Sequence, residues 1–290
     1  MIDLDQVRSF IAVIEAGSFR DAAQRLGLAQ PTISQHVQKL ESTLDHLLVE
    51  RSRARATTTA AGFRFLPFAR TLLRLEERAR AALDCGSLAI GASSNIGVYL
   101  LQPLVRAFRS ARPALGSIDI RIGSNLETAR RLEDAEIDIA LMEWWDDRPG
   151  FEAGIWRRER LVVIVPSEHP WASRKSVAKA MLLREPMIGG EPGTGTARLL
   201  QQAFGAGAGA LKIGLQLGST EAVKQAVRAG LGVSITLESA VRDEVEAGTL
   251  RALRVKEATL AKPLYSVLPV GLAAGSPALQ FGAFLREGGA

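Results

Sequence analysis

Apolar residues recur at helical spacing in the N-terminal part of the chain. The first series, at intervals of 3, 4 and 3 residues, consists of Leu4, Val7, Ile11 and Ile14. This spacing predicts a helix with one apolar face, and Ala16-Gly17 is typical of its C-terminus. Ser18 is a good N-cap for a second helix, which Gly27 ends.

A third and longer helix is predicted after the turn Gly27–Gln30. Pro31 suits its first turn, because the N–H that proline lacks has no helical partner there. The apolar face of this helix, at intervals of 4, 3 and 4 residues, consists of Ile33, Val37, Leu40 and Leu44. Two short helices, a turn containing glycine and a longer helix predict a helix-turn-helix at about residues 18–38.

The exposed face of the third helix is polar. Gln, Ser and Thr side chains can pair with base edges, and a Lys at the flank of the helix suits phosphate. A solvated face without a nucleic-acid partner is the alternative, because helix-turn-helix shapes also occur in proteins that bind no DNA. We expect double-stranded DNA to contact Ser18, Gln30, Pro31, Thr32, Ser34, Gln35, His36 and Lys39.

Three arginines follow at alternate positions, Arg51, Arg53 and Arg55. On a strand, alternate side chains point to one side, so a wing would present all three to phosphate groups. A charged surface with no partner is the alternative, and the neighbouring Glu50 is consistent with it. We expect the three arginines to contact DNA.

Thr59 can cap a helix that runs to about Leu83 and carries a seam of apolar residues. Intervals of 3, 4, 3, 4 and 3 residues separate its members, Phe65, Phe68, Leu72, Leu75, Ala79 and Ala82. Such heptad spacing favours pairing with another helix, and packing on the same chain is the alternative. Pro67 should kink this helix locally or remove one hydrogen bond.

From Leu88 onward, strand patterns alternate with helix patterns, which predicts an α/β domain. The domain also repeats itself, since residues 118–124 resemble residues 213–219, which lie 95 residues further on. Each repeat precedes a helix and then a strand, and these strands end at Glu143 and Glu238. Two similar lobes are expected, with the loops at the carboxyl ends of their strands facing a shared crevice.

Helices begin at those loops, and their free N–H groups favour an anion or a carbonyl oxygen. We therefore expect the crevice to bind a small polar ligand with a carboxylate or similar anionic group. Each candidate is also an ordinary helix N-cap, and that alternative stays open. The candidates are Ser93, Ser94, Asn95, Ser124, Asn125, Thr194, Gly195, Thr196, Ser219 and Thr220.

Composition narrows the function further. The 290 residues include 36 Lys and Arg against 31 Asp and Glu, a net charge of +5 that permits a nucleic-acid partner without demanding one. The single Cys85 and three dispersed histidines predict neither a disulfide nor a metal site. Asp3 and Asp5 stand where a signal peptide needs positive charge, and no apolar run approaches membrane-spanning length, so a cytoplasmic protein is expected.

Neither catalysis nor a cofactor is predicted. A Ser-His-Asp hydrolase would need His169, which is more typical of a surface turn, and residues 193–197 lack the ending of a phosphate-binding loop. Trp144 and Trp145 follow a buried strand, which favours core or hinge packing over ligand stacking. Two rival interpretations are an enzyme that uses the crevice and a solute-binding module whose N-terminal helices only form oligomers.

A dense set of short matches identifies a family for the N-terminal segment. They are Val7–Phe10, Gly17–Phe19, Ala22-Ala23, Leu26, Gln30-Pro31, Ser34, Leu40-Glu41, Glu50-Arg51, Thr59 and Ala61-Gly62. With them, residues 1–62 resemble the winged helix-turn-helix of LysR-type transcriptional regulators. Val49 and Thr58 replace the usual Phe and Leu, which could loosen the wing. Gln35 replaces a common Arg, so a typical operator sequence is not expected.

The resemblance implies a fold that is α/β overall. An all-α winged helix-turn-helix leads through a linker helix, by which such regulators dimerise, to a two-lobed effector domain similar to periplasmic binding proteins. Leu161–Val165 and Pro263–Pro269 would cross between the lobes. By position, the residues that fall where effector contacts commonly lie are Ser93, Ser94, Asn125, Thr194 and Thr196.

These inferences predict a DNA-binding domain at residues 1–58, a linker and dimerisation helix at 59–86 and an effector-binding domain at 87–290. Lobe 1 would comprise residues 87–161 and 268–290, and lobe 2 residues 162–267. The predicted partners are promoter or operator DNA, the effector and further copies of the chain in a homodimer or homotetramer. We predict no membrane association, no enzyme activity, no cofactor and no metal.

Overall fold

In the computed structural model, which describes residues 1–51, 55–84, 86–190, 192–196, 199–200, 203 and 213–288, the chain separates into two units. The first comprises Met1–Cys85 and Asp134–Glu136, and the second Gly86–Glu133 and Ile137–Ala290. The elements of the first unit are α1 (Leu4–Ala16), α2 (Phe19–Leu26), α3 (Gln30–Leu44), β1 (Val49–Arg51), β2 (Ala56–Thr58) and α4 (Ala60–Asp84).

Local residue chemistry sets the bounds of α1, α2 and α3, as the sequence predicts. Gly17 ends α1 in the left-handed region, at φ 71°, and its N–H donates to the carbonyl of Val13. The N–H of Asp21 donates to Ser18 Oγ at 3.0 Å, so Ser18 caps α2. Pro31 lies in the first turn of α3. The apolar faces of the three helices meet in one core.

A buried carboxylate ties α3 to the antiparallel hairpin of β1 and β2. Glu41 is 9% exposed, and its Oε1 accepts hydrogen bonds from the backbone N–H groups of Leu48 at 2.8 Å and Val49 at 3.1 Å. Val49 itself is buried in the helical core. Two interactions therefore fix the hairpin. The Glu41 carboxylate forms charge-assisted hydrogen bonds with its backbone, and Val49, although smaller than the usual Phe, packs in the core.

Helix α4 begins after Thr59, whose Oγ1 accepts a backbone hydrogen bond at 2.9 Å from the first turn. The helix continues through Pro67 without a break. Phe65 does not belong to the outer seam that the heptad spacing predicts, because its ring packs in the helical core, 5.9 Å from that of Phe10. Phe68, one turn further along the seam, is 69% exposed.

Strands and helices alternate in the second unit, as predicted. Its strands are β3 (Leu88–Ser93), β4 (Ile118–Gly123), β5 (Ile139–Met142), β6 (Phe151–Pro166), β7 (Ser176–Val177), β8 (Met187–Gly189), β9 (Ile213–Gln216), β10 (Ser234–Leu237), β11 (Leu250–Val255) and β12 (Ala261–Pro269). Its helices are α5 (Ser94–Tyr99), α6 (Leu101–Ala111), α7 (Asn125–Glu133), α8 (Lys179–Leu182), α9 (Thr220–Arg228), α10 (Arg242–Glu246) and α11 (Pro277–Arg286).

Two lobes share the long strand β6. Its first part pairs with β12, and residues 161–166 pair with β10 and β11, all antiparallel. In the first lobe the strand order is β4-β3-β5-β12-β6, with β3, β4 and β5 parallel. The predicted lobe boundary between residues 267 and 268 is therefore wrong. The chain returns to the first lobe at Leu260–Ala261, because β12 pairs with first-lobe strands along its whole length.

The internal repeat of the sequence corresponds to a repeat in the fold. Each lobe has a parallel strand pair, β3–β4 or β8–β9, followed by a helix, α7 or α9, and then by a fully buried strand, β5 or β10. Glu143 directly follows β5, and Glu238 directly follows β10. Parallel strands bring their carboxyl ends to one edge of a sheet, which positions the polar residues described below.

Gly62→Ala should destabilise the first unit, because an added Cβ would lie 2.0 Å from the carbonyl oxygen of Leu48. Overpacking of this kind costs about 1–3 kcal/mol of unfolding free energy. Gly214→Ala in β9 is a matched control, since no atom lies within 4 Å of its added Cβ. Urea unfolding followed by circular dichroism measures both variants, and an unchanged midpoint for Gly62→Ala would contradict the close approach of α4 to the hairpin.

Candidate nucleic-acid interface and effector crevice

One face of α3 carries six of the residues that the sequence assigns to DNA. The Gln30 amide donates to Ser34 Oγ at 3.2 Å across one helical turn of this face. An α-helix fits the major groove, where amide and hydroxyl groups can pair with base edges. Exposed or half-buried here are Gln30, Pro31, Thr32, Ser34, Gln35 and Lys39.

His36 and Ser18, the remaining helical candidates, both make structural contacts. His36 Nδ1 lies 2.8 Å from Ser9 Oγ on α1, and that hydroxyl also donates to the carbonyl of Asp5 at 2.9 Å. The imidazole is thus held between α3 and α1 at the edge of the polar face. Ser18 caps α2.

The hairpin places Arg55 beside the end of α1. The Ala56 N–H donates to the carbonyl of Gly17 at 2.7 Å. A Cβ on Gly17 would lie 2.8 Å from Arg55 Nε, so glycine lets the exposed arginine cross this helix end. Arg51 ends β1, while its side chain, like all of Arg53, lies outside the part of the chain that the structure describes.

In the second unit a cavity of about 340 Å³ lies where the two lobes meet. Asn95 comes to it from the first lobe, and the other lining residues come from the second. Five of the ten effector candidates line it, namely Asn95, Thr194, Gly195, Thr196 and Thr220. Ser93, Ser94, Ser124, Asn125 and Ser219 are not among the lining residues.

Three of those five serve as local structural residues. Ser219 Oγ accepts a hydrogen bond from Ala222 N at 3.2 Å and caps α9. Ser124 Oγ accepts one from Glu127 N at 3.2 Å, and the reciprocal hydrogen bond from the Ser124 N–H lowers the pKa of the Glu127 carboxyl. Ser94 Oγ donates to the carbonyl of Gly123 at 3.0 Å. The capping interpretation explains the first two positions.

Asn125 and Ser93 are buried close to the ends of the first-lobe strands. Asn125 Oδ1 accepts from the N–H of Glu143 at 2.8 Å, and its Nδ2 donates to the carbonyl of Trp144 at 3.1 Å. This amide therefore fixes the loop after β5. Ser93 is 1% exposed, and among the described residues its Oγ has no hydrogen-bond partner.

A buried ion pair stands behind the cavity wall. Glu143 and Lys262 are each 2% exposed, and Lys262 Nζ donates to Glu143 Oε2. Lys262 also donates to Thr196 Oγ1 at 3.2 Å, while Asn95 Nδ2 donates to Glu143 Oε1 at 3.0 Å. Thr220 Oγ1 in turn donates to Asn95 Oδ1 at 2.6 Å. The pair is thereby connected to three lining residues, and two of these hydrogen bonds cross between the lobes.

Sequence reasoning missed this pair. In the sequence, Glu143 is distinguished only as the repeat counterpart of Glu238, which is 46% exposed and bonds Arg160 at 3.1 Å. Lys262 is a single cation at the start of the mainly apolar strand β12. The signal available in the sequence was a charged residue directly after an apolar strand, at Glu143, and another within one, at Lys262. Charged residues are rarely buried unless they are paired.

The aromatic ring of Trp144 makes a further contact between the lobes. Its Nε1–H donates to the carbonyl of Gly193. Gly195 has φ 74°, and a Cβ there would lie 2.9 Å from Trp144 Cδ1. Trp145 packs edge-on against Phe151. Trp145 thus packs against the first-lobe core, as predicted, and Trp144 lies at the contact between the lobes.

A second charged cluster joins the lobes beside α9. Lys224 Nζ bonds the carboxylates of Glu221 and Glu244, each at 2.7 Å, and lies 5.1 Å from the ring centre of the first-lobe Tyr99. Burial by itself lowers the pKa of Lys224, but the two carboxylates outweigh it and the pKa is raised. Burial raises the pKa of Tyr99. Lys224 therefore remains a cation at neutral pH.

No group of three or more His, Cys, Asp or Glu side chains among the described residues is placed to hold a metal ion. Within the same residues, every helix is too short or too polar to span a bilayer.

Family models match nearly the whole chain. The model for the bacterial regulatory helix-turn-helix protein of the lysR family matches residues 4–63, and that for the LysR substrate binding domain matches residues 81–290. The HTH-type transcriptional regulator CbbR of Sinorhizobium medicae is 34% identical over 301 aligned positions, which cover 100% of this chain and 94% of the relative. The putative HTH-type transcriptional regulator protein PtxE of Stutzerimonas stutzeri is 45% identical over 190 residues, which cover 66% and 97% respectively.

Solved structures agree with this assignment. Full-length CbnR in complex with its target DNA has a TM-score of 0.71 and 25% identity, covering 99% of this chain and 100% of that protein. The chain thus belongs to the LysR family and is a DNA-binding transcriptional regulator whose promoter binding is modulated by a small-molecule effector in its C-terminal domain.

Proposed function

We propose that the protein binds promoter DNA through the polar face of α3 and the β1–β2 wing. The observation that carries this proposal is the presentation of Gln30, Gln35 and Lys39 on one exposed face of a helix whose other side is buried in the core. The solved complex of the similar CbnR with its target DNA supports it. Arg51, Arg53 and Arg55 would contact phosphate groups, while Thr32, Ser34 and His36 border the base-reading residues.

The domain roles follow from the same division of the chain. Residues 1–58 would bind DNA, residues 59–86 would link and dimerise, and residues 87–290 would sense the effector. The seam of α4 supports self-assembly, because Phe68 and Leu75 are 69% and 47% exposed on one side of the helix. Large apolar side chains on one exposed helix face suit a second copy of that helix. A homodimer, or a homotetramer built from it, is the proposed assembly.

The crevice is proposed as the effector site. The ten candidate residues then divide into Asn95, Thr194, Gly195, Thr196 and Thr220, which line the cavity, and five that lie outside its lining. An effector that binds one arrangement of lobes or subunits more tightly shifts the equilibrium by its difference in affinity, and so changes the spacing of the DNA-binding heads.

Binding without catalysis is the favoured chemistry of this site. The described lining residues are apolar or uncharged, so they offer no carboxylate, imidazole or thiol as an acid, base or nucleophile. We expect a small polar ligand with an anionic group, no cofactor and no metal. A regulator of chromosomal DNA would act in the cytoplasm.

Arg55→Ala should weaken binding to every DNA sequence by a similar factor, because a phosphate contact carries no base information. The slope of log affinity against log salt should fall by about one unit. Gel shifts at several salt concentrations measure both quantities. Gln35→Ala is the contrasting variant, with an expected change in base preference and an unchanged slope. A changed base preference for Arg55→Ala would contradict the phosphate assignment.

Phe68→Asp should dissociate the assembly, because it places an unpaired charge in the proposed apolar interface. Phe63→Asp is the matched control, since Phe63 is 73% exposed on α4 but lies off the seam. Sedimentation velocity should show a smaller species for Phe68→Asp and the wild-type assembly for Phe63→Asp. Leu72→Asp should behave like Phe68→Asp, and wild-type sedimentation of both seam variants would show that α4 does not dimerise the chain.

A further inference from the structure

The Thr220 hydroxyl is left with only acceptor capacity toward the cavity. A carboxylate can only accept hydrogen bonds, so the Asn95 group that faces Glu143 at 3.0 Å is the Nδ2 donor. Asn95 Oδ1 then faces Thr220 Oγ1 at 2.6 Å, and Thr220 donates its single proton there. What the Thr220 oxygen can offer a ligand is a lone pair.

The Thr196 hydroxyl, in contrast, is left with only donor capacity toward the cavity. An ammonium group can only donate, so Thr196 Oγ1 accepts the hydrogen bond from Lys262 Nζ at 3.2 Å. The Thr194 hydroxyl donates to the same oxygen at 3.3 Å. Both lone pairs of Thr196 are thereby used, and its O–H proton remains for a ligand.

The buried ion pair thus gives the cavity a donor end and an acceptor end. Thr196 and Thr220 both line the cavity, whereas Glu143 and Lys262 lie behind it and are nearly inaccessible to water. In such a low-dielectric environment, hydrogen bonds polarised by a charge are stronger than in water. The positive partner of the pair lies behind Thr196, and the negative partner acts on Thr220 through Asn95.

We propose that the cavity selects a small carboxylic acid that also carries a hydroxyl or amino group. The carboxylate accepts the proton of Thr196, and the O–H or N–H of the ligand donates to Thr220. The apolar part of the ligand packs against lining residues such as Met187, Val223 and Leu237. The inference rests on the crevice being the effector site, and it assigns Glu143 and Lys262 as positioning residues for ligand polarity.

Calorimetric titration of the full chain tests the ligand class. The panel consists of short aliphatic acids with a hydroxyl or amino group at successive carbons, together with the unsubstituted parent acids. For at least one position of the donor group, the substituted acid should bind about tenfold more tightly than its parent. Equal affinities throughout the panel, or no binding by any acid, would overturn the proposal.

Three valine variants assign the preference to individual hydroxyls. Thr220→Val should reduce the tenfold preference for the substituted acid to about one and leave the affinity for the parent acids unchanged. Thr196→Val should weaken the binding of substituted and parent acids by the same factor. Thr249→Val, at a second-lobe threonine that is not among the lining residues, should change neither quantity. A preference that survives Thr220→Val would overturn the assignment of its acceptor role.

The positioning role needs a readout that loss of packing alone would not change. The double variant Glu143→Gln with Lys262→Met removes both charges and keeps similar side-chain volumes. Its preference for substituted acids should fall severalfold. Its circular dichroism spectrum should match that of the wild type, and its thermal unfolding should stay cooperative. A folded double variant with the wild-type preference would show that the charges do not set the polarity.

A DNA measurement separates this inference from the proposed function. Affinity for a mixed-sequence duplex without acid, measured by gel shift, should be the same for the wild type and all these variants. If the wild type binds no duplex, DNA binding fails, whatever the acids do. If duplex binding is normal and the acid preference is absent, only the ligand class is wrong.

Discussion

Two opposite charges lie out of water where the lobes of the second unit meet, at Glu143 and Lys262. An isolated charge in such a place would cost several kcal/mol, so each is tolerated only while the other is paired with it. Glu143 follows β5 and Lys262 lies on β12, and these strands are direct neighbours in the first-lobe sheet. The requirement to satisfy the pair then extends through Asn95 and Thr196 into the second lobe.

In the first unit, too, a buried charge needs partners. Glu41 is buried at the end of α3, and the backbone N–H groups of Leu48 and Val49 satisfy its carboxylate. The hairpin is thus fixed to the helix that carries the polar face. Gly17 allows the hairpin to meet the end of α1, through its backbone conformation and through the space that it leaves for Arg55. A surface suited to DNA is therefore supported by a helix, a hairpin and one buried carboxylate.

The connections between the lobes explain how a ligand of moderate size can affect the whole second unit. Hydrogen bonds from Thr220 to Asn95, from Lys262 to Thr196 and from Trp144 to Gly193 surround the cavity. The proposed ligand, by pairing with the two threonines, would add to these connections. Its binding free energy would then differ between arrangements of the lobes, which is the condition for allosteric control.

Local physics allowed much of this protein to be predicted from its sequence. Helix ends at Gly17, Ser18 and Thr59 depend on residues within a few positions, and the repeat around residues 118–124 and 213–219 is visible as a pattern. Tertiary structure alone decided which polar residues meet. Glu143 and Lys262 are 119 positions apart, and a hydroxyl at a helix start caps that helix or faces a cavity depending on the chain packed over it. The packing of the chain also decides that Phe65 lies in the core and Phe68 does not. An amphipathic pattern identifies an apolar face but not the surface that covers it.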